Sequence, residues 1–177
     1  MGGVLESFDD FFLGELDALF DKFDKWKVPL QATRLLKGHF ADCSLAIKWL
    51  EEFAQDFELV DEVAGKWDTV VFPKVSFDWY LKAIPDDWTN SRLVLPQKRG
   101  LTRRLGGLAH KLQEHYGDND FPLDQNHLGK VLGVSQRHVS TSLTHLVEVG
   151  WLIRSSELRK DAKLCRFGRW WYRCPHP

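Results

Sequence analysis

The stretch "HLGKVLGVSQRHVSTSLTHLVEVGWLI", from His127 to Ile153, constrains the fold of this chain most. Two short helical patterns are joined there by "LGVS", which leaves room only for a tight corner, with Gly133 supplying the bend. On a wheel advancing ~100° per residue from Val139, the residues Val139, Leu143, Leu146 and Val147 share an apolar face. Arg137, His138, Thr141, Thr144 and His145 fall opposite, and the helix carries only one acid, Glu148, in its last turn. A plain core helix usually turns mixed Glu and Lys outward. Here Arg suits guanine, Gln136 suits adenine or a phosphate, and Ser or Thr suits either. Ser135 is placed to cap this helix and Gly150 to end it. The competing reading is a three-helix core with a solvated outer face.

The flanking pattern extends the motif. Lys98–Tyr116 reads as a helix through Leu101, Leu105, Leu108 and Leu112. "GDND" breaks it, "FPL" (Phe121–Leu123) is a short strand, and Asp124 caps a helix running to Leu132. After the helix Gln136–Val149, Trp151–Ser155 and Leu164–Tyr172 are strand-like, separated by the charged loop "ELRKDAK". This is the element order of a winged helix-turn-helix. The expected fold is mainly α with a small β-wing, preceded by an acidic helical region.

That region begins with Ser7–Trp26, where Phe8, Phe12, Leu16, Leu19, Phe20 and Phe23 recur at three and four. Ser7 caps it, Asp10 sits near its positive end, and Val28-Pro29 stops it. A second helix is expected over Ala41–Phe57, with Leu45, Trp49, Leu50, Phe53 and Phe57 on one stripe packed against the first. Asp61–Lys66 extends this region or forms a separate turn. Between Trp67 and Arg92 the pattern is poor: an extended piece, a short helix at Asp78–Ala83, then a linker. Pro85 and Pro96 bracket the expected boundary between an acidic region, 1–90, for a partner or dimer contact, and a DNA-binding domain, 96–177.

Charge supports the division. Residues 1–75 hold 8 Lys and Arg against 15 Asp and Glu, a net of −7; residues 96–177 hold 14 against 7, a net of +7. The chain's total of −1 conceals this. A basic segment ending in a loop with Arg159, Lys160 and Lys163 has the footprint of a phosphate binder. The expected DNA-contacting set is Ser135, Gln136, Arg137, His138, Ser140, Thr141, Thr144, His145, Arg159, Lys160 and Lys163. The expected partners are duplex DNA and a protein or second copy bound through the N-terminal helices.

The segment "LTRRLGGLAHKLQEHYGDNDFPLDQNHLGKVLGVSQRHVSTSLTHLVEVGWLIRSSE" resembles the winged-helix region near the C-terminus of primase-type replication proteins of plasmids and phages. "TVVFPKVSFDWYLKAI" resembles the segment before that region, and "ESFDDFFLGELDALFD" the end of a Toprim-like primase domain. The resemblance implies a replication-associated accessory or regulatory protein of a mobile element. It carries no primase activity, since the rest of such a catalytic domain is not in this sequence. Many transcriptional regulators share the "LGVS…L…L…G.L" skeleton. A dimeric transcriptional regulator and a winged-helix interaction module without DNA binding therefore stay open.

Other functional classes draw little support. There is no Walker-type glycine loop. Asp9-Asp10 and Asp86-Asp87 lack a third acid and a Lys at a recognisable spacing, and His110 and His115 do not stack on one helical face. Gly106-Gly107 reads as a close-packing site and His39 as a packing or turn residue. No catalysis, cofactor or metal is expected. Cys43, Cys165 and Cys174 are too few and too scattered for a disulfide framework, and "CPH" at Cys174–His176 supplies only two metal ligands. No apolar run approaches the ~20 residues of a membrane span. "MGGVLESFDDFF" has no basic segment before an apolar block, so the expected location is cytoplasmic. In "RWWYR" (Arg169–Arg173), Trp170 and Tyr172 share one strand face, which is expected to pack on the core. Trp171 is then the candidate for an exposed ring.

Overall fold

A computed structural model of the protein describes residues 7–40, 42–70, 73–84, 88, 100–155 and 169–175, without the side chains of 57 and 169. The chain is mainly helical, with a small three-stranded antiparallel sheet. Two compact units divide it, Met1–Ser76 and Phe77–Pro177. No helix among the described residues is long and apolar enough to cross a membrane.

The first unit opens with α1 (Phe8–Lys22). The Ser7 hydroxyl oxygen accepts the Asp10 N–H at 3.2 Å, as the sequence predicts. Phe12, Leu16 and Leu19 are buried, but Phe20, expected on the same stripe, is 46% exposed. At ~100° per residue Phe20 stands about 80° from Phe12, at the edge of the face, whereas Leu19 lies only about 20° away.

The helix ends at Lys22, short of the expected Trp26. Pro29 then starts a helix that the sequence reading does not contain, α2 (Val28–Lys37). Proline in the first turn loses no helical hydrogen bond, so it is as good a start signal as a stop signal. The expected Ala41–Phe57 helix is two pieces. α3 (Cys43–Trp49) runs into a π turn (Leu50–Ala54), closed by Gln55 N–H donating to Leu50 O at 2.8 Å. Gln55 adopts φ 53°, and Asp56 caps α4 (Phe57–Lys66), so Asp61–Lys66 belongs to a full helix. The break also splits the expected stripe: Trp49 and Leu50 are buried, while Leu45 and Phe53 are exposed. Phe57's side chain lies outside the described residues.

The second unit holds α5 (Phe77–Lys82), α6 (Gly100–Tyr116), β1 (Phe121–Asp124), α7 (Gln125–Leu132), α8 (Gln136–Glu148), β2 (Ile153–Arg154) and β3 (Arg169–Arg173). The boundary between units falls at Ser76, upstream of the prolines expected to bracket it. The reason is α5: Phe77 and Tyr80 are buried, Phe77 meets the His127 ring at 5.3 Å, and Tyr80 meets His115 at 5.8 Å. Packing against α6 and α7 thus places α5 in the second unit. The sheet order is β1-β3-β2, with Phe121 opposite Tyr172 and Arg154 opposite Tyr172 from the other side. Phe121, Leu123 and Tyr172 therefore share the core face and are fully buried. Trp170 and Trp171 are both half-buried, so Trp171 is not the single open ring expected. β2 is two residues long, shorter than Trp151–Ser155; the strand pattern over Leu164–Gly168 lies outside the described residues.

Candidate nucleic-acid interface

Local sequence sets the corner that presents α8. The Asp124 carboxylate accepts the N–H groups of Asn126 and His127, each at 3.0 Å, and so opens α7. α7 closes at Gly133, whose φ of 66° suits a residue without a side chain. The Val134 N–H returns to Gly129 O at 2.8 Å. This close approach depends on Gly129: a Cβ there would stand 2.8 Å from Val134 O and 3.3 Å from Gln136 N. Gly129→Ala should therefore destabilise the protein by about 1–3 kcal/mol, through overpacking of the turn itself. Chemical denaturation measures this; a loss below about 0.5 kcal/mol would mean that the corner is looser than its geometry.

Ser135 then caps α8, its Oγ accepting the His138 N–H at 3.3 Å. Val139, Ser142, Leu143 and Leu146 are buried as α8 packs on α6 and α7. The far end is clamped too. Gly150, at φ 74°, turns the chain, and the Trp151 and Leu152 N–H groups both reach Leu146 O, at 2.9 and 3.0 Å. The buried Trp151 donates its indole N–H to Gly106 O on α6 at 3.3 Å. α8 is thus fixed at both termini and along one side.

Its other side is open. Gln136, Arg137, His138, Thr141 and Thr144 are exposed, and Ser140 and His145 are half-buried. Gln136, Arg137, Ser140, Thr141, Thr144, His145 and Glu148 line an open furrow of about 590 Å³ between α8's own side chains. The Thr141 hydroxyl donates to Arg137 O at 3.0 Å, leaving its oxygen to accept. The His145 Nδ1 stands 3.9 Å from Glu148 Oε2, while its Nε2 is buried without a hydrogen-bond partner among the described residues.

The structure brings seven of the eleven expected contact residues onto α8, with Ser135 immediately before them as its cap. Ser142 points inward. Arg159, Lys160 and Lys163 lie outside the described residues. Lys130, exposed on α7, is a cation beside the corner that the sequence reading does not name; its place outside α8's pattern gives no signal in sequence. Cys174 is buried, with its N–H donating to Gln113 Oε1 at 2.6 Å. Among the described residues no group of three or more His, Cys, Asp or Glu could hold a metal ion. Comparison of the chain with protein-family models, with curated proteins and with solved structures gave no match.

Proposed function

We propose that this protein binds duplex DNA, with α8 entering the major groove as the second helix of a winged helix-turn-helix. One observation carries the reading: a helix fixed by both caps and by its packing turns out Gln136, Arg137, His138, Thr141 and Thr144, with its only acid at the far end. An α-helix fits the major groove, and such side chains pair with base edges or phosphates without bringing negative charge to the backbone. The order α6-β1-α7-α8-β2-β3 and the sheet order β1-β3-β2 support the winged arrangement, in which the β2–β3 connection is the wing carrying Arg159, Lys160 and Lys163. The resemblance to plasmid and phage replication proteins supports a replication-associated accessory or regulatory role in a mobile element. A dimeric transcriptional regulator would instead protect a palindrome with half-sites about one helical turn apart.

Arg137 stands in the first turn of α8, the part that meets base edges in this docking mode. Arg137→Ala should weaken binding to the preferred duplex, found by selection from random sequence, by about 1–3 kcal/mol and relax preference at one base pair. Unchanged affinity and preference would remove α8 from the interface.

A further inference from the structure

Among the described residues, the half-buried cation Arg154 of the second unit has no anion beside it. Arg154, on β2, lies opposite Tyr172 and shares a sheet face with Trp170. Its guanidinium carbon is 4.4 Å from the Trp170 ring centroid and 5.8 Å from that of Tyr172. Its Nε is buried without a hydrogen-bond partner, and no carboxylate pairs with it among the described residues. Two other arginines of the unit are arranged differently: Arg173 Nε donates to Asp120 at 2.8 Å, and Arg103 Nε donates to Trp88 O at 2.6 Å. Tyr172 supplies no counter-charge. Burial pushes its phenol above the ordinary range, although the charge of Arg154 and hydrogen bonding with Arg154 and Gln125 pull the other way.

A cation withdrawn from water is ordinarily paired. Here two aromatic faces hold it in place of an acid, which fixes the plane of the guanidinium; its Nε is buried and Tyr172 engages one side, so the terminal N–H groups are the donors left for an external oxyanion. β2 follows the C-terminal end of α8 directly through the Gly150 turn. We propose that Arg154 binds a phosphate of the nucleic-acid backbone, with Trp170 as the platform that orients it. The assignment rests on the duplex-binding reading above and adds a contact that positions the protein without reading sequence.

The test compares Arg154→Met, which keeps a long apolar stem on Trp170 but removes the charge, with Arg154→Lys, which keeps charge without the planar fork. Binding of the full chain to two unrelated duplexes of about 20 bp is followed by fluorescence anisotropy across a salt series from about 50 to 200 mM. Arg154→Met should weaken binding to both duplexes equally, roughly tenfold for one charge-assisted contact, and shallow the log–log salt slope by about one. Arg154→Lys should restore the slope with only part of the affinity. A folded Met variant with the wild-type slope and affinity, or a loss confined to one sequence, overturns the assignment. If the Met variant unfolds, the Lys variant decides: a folded Lys variant with undiminished affinity overturns it. Wild-type protein that bound neither duplex would bring down the DNA reading itself, and this contact with it.

Discussion

Phe12→Ala should cost the first unit about 3–5 kcal/mol, the range for emptying a fully buried aromatic site. Phe12 has no exposed surface and sits where α1, α3 and the α2–α3 connection meet. Its ring stacks on Phe8 at 5.3 Å and meets the edges or faces of His39, Phe40 and Trp49 at 4.6, 6.0 and 4.9 Å. The surrounding rings are held from elsewhere, so they have little freedom to close the void. Trp49 donates its indole N–H to Asp9 Oδ1 at 2.8 Å, and His39 Nε2 accepts the Ser76 N–H at 3.2 Å. Chemical denaturation followed by far-ultraviolet circular dichroism measures the loss. A cost below about 1 kcal/mol would mean that these rings do not form the centre of the unit.

Gly38→Ala should be nearly as damaging, for the opposite reason. A Cβ at Gly38 would fall 2.0 Å from Lys74 O and 2.4 Å from Lys74 C. Both are backbone atoms, so no side chain can rotate out of the way. The segment is held there by the Lys74 N–H donating to Arg34 O at 2.7 Å, and by the Ser76 N–H on His39. Either 73–76 lifts from the end of α2 and gives up these bonds, or α2 itself shifts. The expected loss is about 3 kcal/mol, the upper part of the range for overpacking. A variant within about 0.5 kcal/mol of wild type would contradict the close approach of Lys74 to α2.

The parts of this structure that are legible in sequence are those governed by near neighbours. Ser7, Asp124 and Ser135 each cap the helix they precede, because a short polar side chain before an apolar periodicity satisfies the first free N–H groups. Gly133 and Gly150 end helices at positive φ for an equally local reason. What escapes is decided at longer range or by a degenerate signal. Pro29 serves equally to stop a helix or begin one, and only the packing of α2 decides. The π turn at Leu50–Ala54 has no residue signature in "LEEFA" and turns Phe53 away from the core. α5 carries too few residues to show a period, and its rings find their partners on α6 and α7. In the candidate site, α8's outer face can be read from one wheel. Arg154 cannot, because its pairing with Trp170 is made across strands by residues sixteen apart in sequence.

In the proposed interface the polar face of α8 meets duplex DNA with the help of surrounding cations. The most direct measurement is the equilibrium affinity of the full chain for duplex DNA of random sequence as salt rises from about 50 to 200 mM. If Arg137, Lys130 and Arg154 act together with Arg159, Lys160 and Lys163, which lie between β2 and β3 in sequence, about three to five phosphates should be neutralised. The log–log slope should then lie near −3 to −5. Absence of binding at the lowest salt, or binding with a slope near zero, would rule out this interface and leave α8's polar face as solvated surface.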